Sequence, residues 1–90
     1  MPQGQCKIYH PGTEGAEYEC HWYFKEESAG RSFFDKFVAG TLRCLSADDQ
    51  AGADVDPEFA RLKDGDYHIN LMFDNSSRYW TITFQYELRR

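Results

Sequence analysis

YHINLMFDNSSRYWTITFQYEL, residues Tyr67 to Leu88, is the stretch that decides the fold class. Tyr67, Ile69, Leu71 and Phe73 alternate with His68, Asn70, Met72 and Asp74. Trp80, Ile82, Phe84, Tyr86 and Leu88 then alternate with Tyr79, Thr81, Thr83, Gln85 and Glu87. A period of two sends successive side chains to opposite sides of an extended chain, so each run has one apolar and one polar face. Asn75-Ser76-Ser77 places turn formers between the runs. The segment therefore reads as an antiparallel hairpin with one face buried and one wet.

Working towards the N-terminus, Asp56-Pro57-Glu58 has the pattern of a helix start: a capping carboxylate, a proline at the first helical position and an acid beside the positive dipole end. Phe59 and Leu62 would bury, and Gly65 would end this short helix. Ser46 to Val55 offers almost nothing to bury and reads as an exposed loop. Phe33, Phe34, Phe37, Val38, Leu42 and Leu45 recur at spacings of three and four, which predicts a helix over 28–45 with Ser28 as its cap. Gly30 and Gly40 weaken its propensity, so packing must hold it. Ala16 to Lys25 alternates again, with Tyr18, Cys20, Trp22 and Phe24 on one face. Gln5 to His10 precedes it through the turn-rich Pro11-Gly12-Thr13-Glu14-Gly15. The expected fold is α+β: an antiparallel four-stranded sheet in ββααββ order, with one long and one short helix packed on one face. The strands at 16–25 and 80–88 have the largest apolar faces and are expected at the sheet centre.

Ninety residues and 10.5 kDa fit a single domain over 1–90. No apolar run approaches the ~20 residues of a membrane span, and the N-terminus shows no basic segment followed by an apolar stretch. The cytoplasm is the expected location. Three cysteines, Cys6, Cys20 and Cys44, cannot all pair within one chain and match no small disulfide framework, which suggests a reducing compartment and thiols that act as small buried hydrophobes. The formal charge is −5, opposite in sign to a domain that tracks a phosphate backbone, so direct nucleic-acid binding is disfavoured. Acid is concentrated in two segments. Glu14, Glu17, Glu19, Glu26 and Glu27 stand against Lys25 alone; Asp48, Asp49, Asp54, Asp56, Glu58, Asp64 and Asp66 stand against Arg61 and Lys63. The plain alternatives are a solvated surface and a face for a basic partner.

Cys6, His10, Cys20 and His21 are metal-ligand types within sixteen residues, but adjacent Cys20 and His21 point to opposite faces of a strand, and no close Cys-x-x-Cys pair is present. Cys20 beside His21 fails as a nucleophile and base for the same reason. His68 could pair with Asp66 or Asp74, although a histidine on the wet side of a hairpin is more often solvated. No glycine-rich phosphate loop opens a helix. His21, Tyr23 and Lys25 occupy one exposed strand face, and Tyr79, Thr81, Thr83 and Gln85 another; these amphipathic side chains are of the kind enriched at interfaces.

From Phe59 to Tyr86 the run FARLKDGDYHINLMFDNSSRYWTITFQY resembles the central segment of the RelE/ParE toxin superfamily, including HigB-like members. Its pairs Leu62-Lys63 and Arg78-Tyr79 stand where that family has a Leu-Lys or Leu-Arg pair before a hairpin and an Arg-Tyr or Tyr-Arg pair opening its second strand. The resemblance implies a small sheet with two helices. In the ribonuclease branch it implies metal-free, ribosome-dependent cleavage of messenger RNA, with Lys63 on phosphate, Arg78 on the transition state and His68 nearby.

The acidic charge puts a different function first: a small non-catalytic binding protein, an inhibitor or modulator that docks on a basic surface of a protein partner. Phage and mobile-element inhibitors, anti-CRISPR proteins among them, are similar in size and charge. Glu14, Glu17, Glu19, Tyr23, Glu26, Glu27, Asp48, Asp49, Asp54 and Tyr79 are the expected contact residues. No cofactor is expected, and a sheet edge offers a route to a homodimer. The toxin-type endoribonuclease is the alternative.

Overall fold

The computed structural model describes residues 4–9, 17–76 and 78–88. Its elements in chain order are β1 (Gln5–Tyr9), β2 (Glu17–Phe24), α1 (Glu27–Arg43), α2 (Ala47–Ala51), β3 (Asp54–Asp56), β4 (Phe59–Asp64), β5 (Tyr67–Ser76) and β6 (Tyr79–Leu88). All strands join one antiparallel sheet in the order β1-β2-β6-β5-β4-β3. The expected four-stranded ββααββ arrangement is thus corrected to six strands among the described residues, and the second helix expected from Asp56 onward is replaced by a turn and β4.

The physical reason lies in residues that serve two structures equally well. Pro57 with Glu58 forms the turn between β3 and β4 instead of a first helical turn. Phe59-Ala60-Arg61-Leu62-Lys63 alternates over too few residues to separate a period of two from one of 3.6, and the structure buries Ala60 and Leu62 while exposing Arg61 and Lys63. Gly65 is the first residue of a two-residue hairpin loop and not a helix stop. Its φ of 61° lies in the left-handed region that such loops demand and that glycine enters without steric cost.

The segment expected as a loop over 46–55 instead contains α2 and most of β3. Ser46 caps α2, its hydroxyl accepting from the Asp49 amide at 3.2 Å. Asp48 and Asp49 sit in the first turn, where the helix dipole favours them. The cap of α1 is Glu26, without a side-chain bond, in place of Ser28. The hairpin β5–β6 is paired out to Ser76 and Tyr79, so Asn75 and Ser76, expected in the turn, are strand residues.

α1 lies on one face of the sheet. Phe34 stacks on Phe73 at 5.7 Å, Phe33 and Phe37 flank Trp22 at 5.3 and 5.2 Å, and Phe37 reaches Phe84 at 5.4 Å. Phe34, Leu71 and Ile82 are the largest side chains removed completely from water, each contributing about 1.5–3 kcal/mol by transfer. At Gly30 the helix comes close to the sheet: a Cβ there would stand 2.8 Å from Cε1 of Phe73. The residue that weakens helix propensity is therefore what lets α1 seat on β5.

The cysteines also differ from expectation. Cys6 and Cys20 are direct cross-strand partners on β1 and β2 and are joined by a disulfide. Cys6 and Cys44 are exposed, and only Cys20 is buried. No helix among the described residues is long and apolar enough to cross a membrane.

Candidate functional site: the uncovered face of the sheet

The strand order merges what the sequence presents as separate polar faces. Because β2 pairs with β6, the outward residues of both lie on the side of the sheet away from α1, and β5 and β4 extend that surface. Paired positions form rows across the strands. Lys7, Glu19, Gln85, Asn70, Arg61 and Asp54 make one row; Gln5, His21, Thr83, Met72, Phe59 and Asp56 the next; Tyr23, Thr81 and Asp74 a third. Tyr79 follows beyond Tyr23.

This face holds a connected polar network. Gln85 donates through Nε2 to Oε1 of Glu19 at 2.9 Å, Oε2 of Glu19 lies 3.7 Å from Nε2 of His21, and Nδ1 of His21 is 3.3 Å from Oγ1 of Thr83. The order hydroxyl, imidazole, carboxylate has the outline of a nucleophile, base and orienting group. The last separation, however, is an ion-pair distance and longer than a hydrogen bond. What the network does is hold four side chains in fixed positions on a surface. Two strand positions along, the rings of Tyr23 and Tyr79 meet edge to face at 6.4 Å while remaining 48 % and 41 % exposed.

Charge divides the face. Glu17, Glu19, Glu87 and Asp74 lie on β2, β6 and β5, with Lys7 of β1 opposite Glu19, whereas Arg61 and Lys63 on β4 are offset by Asp54 and Asp56 on β3, with Arg61 over the ring of Phe59 at 5.2 Å. The tyrosine pair lies at one end of this more acidic half, in the row of Asp74.

Of the expected contact residues, Tyr23 and Tyr79 are brought together here, and Glu19 and Glu17 lie on the same face of β2, about 14 and 20 Å from Tyr23 at ~3.4 Å per residue. Glu26 caps α1 and Glu27 begins it, at the end of β2. Asp48, Asp49 and Asp54 belong to a different region. β2 and β3 are four strand spacings apart, about 19 Å, so the two acidic segments do not form one patch. Asp49 is also partly engaged, its Oδ2 accepting from the Gly65 amide at 3.0 Å. Glu14 lies outside the described residues.

The metal set does not assemble. Cys6 and Cys20 are bonded to each other, His21 faces away from both, and His10 lies outside the described residues. Among the described residues no group of three or more histidine, cysteine or acidic side chains has metal-binding geometry. Lys63 and His68 are cross-strand partners, but Arg78 begins the opposite end of the β5–β6 hairpin, about 27 Å from His68 at ~3.4 Å per residue. The structure does not bring these three together.

On the helix side, Tyr67 stacks on Tyr86 at 4.7 Å, and the Tyr86 hydroxyl donates to Oδ2 of Asp64 at 3.2 Å. Burial, reinforced by the Asp64 carboxylate, pushes the Tyr86 phenol above its ordinary 10.0. A folded-state pKa above the unfolded one adds stability that is present below pH 10.0 and lost as pH rises through the folded value. Urea stability of the native chain is accordingly expected to decline more steeply above that pH than stability of Tyr86→Phe. Parallel curves for the two proteins would refute the assignment.

In the sequence His21, Thr83 and Gln85 fall on polar strand faces, with no sign that they meet. Their connection depends on the adjacency and register of two strands 62 positions apart. No family model matches the chain, and no curated protein or solved structure matches it.

Proposed function

We propose that the chain is a non-catalytic binding protein, an inhibitor or modulator, that docks the acidic half of its uncovered sheet face on a basic surface of a protein partner. The observation that carries this reading is the exposed tyrosine pair on the same sheet face as Glu17 and Glu19. Aromatic side chains supply contact area with little rotamer entropy to lose, and surrounding acids speed encounter with a cationic surface. Met72 and the Thr83–His21–Glu19–Gln85 network continue the same surface.

The disulfide bears on where this happens. Cytosolic thiols are kept reduced, so the Cys6–Cys20 bond weighs against the cytoplasmic setting expected from the cysteine count.

Immobilised chain, incubated with lysate of the cells that encode it at low and at moderate salt, tests the docking reading by quantitative mass spectrometry. One protein should be retained at low salt, fall sharply at moderate salt, and be lost from Tyr23→Ala/Tyr79→Ala, since a buried interfacial tyrosine is worth about 2 kcal/mol. Retention that is indifferent to salt and to Glu17→Lys/Glu19→Lys would dismiss the reading.

A further inference from the structure

The uncovered face carries an order of charge that no single strand shows. Read across the sheet from β1 to β3, the row Lys7, Glu19, Gln85, Asn70, Arg61 and Asp54 runs positive, negative, neutral, neutral, positive, negative. Read from β3 to β1, every charged place has the opposite sign. The row beside it agrees, with Glu17 on β2 and Lys63 on β4 at equal distances from the middle of the sheet. A surface whose signs invert when it is reversed fits a copy of itself turned over.

A two-fold axis performs that turn. Placed against the face, parallel to the strands and between β6 and β5, it lays β2 over β4 of a second copy, β6 over β5 and β1 over β3. Rows are kept, so Glu19 meets Arg61 of the second copy, Glu17 meets Lys63, and Lys7 meets Asp54. Each contact occurs twice, as in any isologous interface. Towards the middle, Gln85 meets Asn70, Thr83 meets Met72, and His21 meets the ring of Phe59. Other axes lose the match: one along β6 sets Lys7 against Arg61, and one across the strands sets the acidic strand β2 against itself. Face-to-face packing of aligned sheets about 10 Å apart is the ordinary sandwich arrangement. At about 3.4 Å by 4.8 Å per strand residue, the face measures roughly 700 Å² before side-chain relief. One partner in a stable interface gives about 800 Å².

We propose that the uncovered face pairs with the same face of a second copy, as a homodimer whose two-fold axis lies between β6 and β5. This rests on the docking reading above and names its partner: the basic surface that takes Glu17 and Glu19 is β4 of another copy. Glu19 is already held for the contact, since Gln85 donates to its Oε1 and leaves Oε2 for a guanidinium. Asp74, on β5, falls over the Thr81 hydroxyl of the second copy, and the two copies of Asp74 stand near the axis as a like-charge pair.

Light scattering on the purified chain at high micromolar concentration tests this. The mass should be twice 10.5 kDa. Glu19→Arg and Arg61→Glu should each be monomeric with native circular dichroism, because each sets like charges opposite one another at both copies of the contact. Mixed in equal amounts, the two variants should dimerise again, since every substituted side chain then faces an opposite charge. Within one chain the two positions are three strand spacings apart, about 14 Å, so no contact inside a chain accounts for that rescue. Asp74→Asn should tighten the dimer by removing the like-charge pair. A monomeric native chain, or single variants that stay dimeric, overturns the proposal, and a mixture that stays monomeric overturns the axis. With a monomeric native chain the docking reading survives if a different protein is retained from lysate and lost from Glu17→Lys/Glu19→Lys; retention indifferent to those changes dismisses both.

Discussion

Phe34→Ala should bring the chain close to global unfolding at ambient temperature. The ring is 1 % exposed, stacks on Phe73 and sits where α1 meets the centre of the sheet. Truncating a phenylalanine in such a site loses its transfer free energy and leaves a cavity that the surroundings fill only in part, at a cost of about 3–5 kcal/mol. A domain of this length has a total stability of roughly 5–13 kcal/mol, so the substitution removes a large share of it. At about 4–8 °C per kcal/mol for small domains, the melting temperature should fall by at least ~12 °C. Ser32→Ala, two residues away and exposed, should change stability by no more than about 0.5 kcal/mol. Circular dichroism melts of the two variants check this directly. Similar melting temperatures for Phe34→Ala and the native chain would mean that α1 does not seat on β5 as described.

Breaking the Cys6–Cys20 bond should have the second-largest effect. The bridge closes a loop of sequence separation 14, and loop-closure entropy for a segment of that size is worth about 3 kcal/mol through restriction of the unfolded ensemble. A local consequence accompanies the global one. β1 is an edge strand whose one neighbour in the sheet is β2, so without the cross-link it is held by a single ladder and should exchange its amide hydrogens first. Thiol alkylation without reductant should label Cys44 and leave the other two cysteines unmodified; after reduction all three should react. Urea unfolding of reduced protein, or of Cys6→Ser/Cys20→Ser, should then show a lower midpoint. Three reactive thiols in freshly purified native protein would contradict the pairing.

Legibility in the sequence followed the length of each pattern. The run from Tyr67 to Leu88 holds its alternation over two ten-residue strands, and the aromatic spacing from Phe33 to Leu42 holds a helical period over α1. Both were readable because many positions agree. From Asp56 to Gly65 only Phe59 and Leu62 supported the helix, and Pro57 and Gly65 suited turns equally well. The open edge of β5 decided the matter: β4 satisfies its backbone groups and β3 follows as the new edge.

The candidate surfaces divide in the same way. The amphipathic character of His21, Tyr23, Tyr79, Thr83 and Gln85 was visible, and so was the excess of acid. Their union on one face required β2 to pair with β6. The same is true of the cysteines: a slip of one residue between β1 and β2 would put the two thiols on opposite faces of the sheet.

Local composition and periodicity thus determined the extended runs at either end, the long helix between them, and the net negative charge. Each is a property of neighbouring residues interacting with water and with their own backbone. Tertiary structure alone decided the number and order of strands, the disulfide, the meeting of Tyr23 with Tyr79, and the order of charge across the uncovered face. Those features depend on contacts between residues distant in sequence, whose free energy appears only when the whole sheet has closed against the helix.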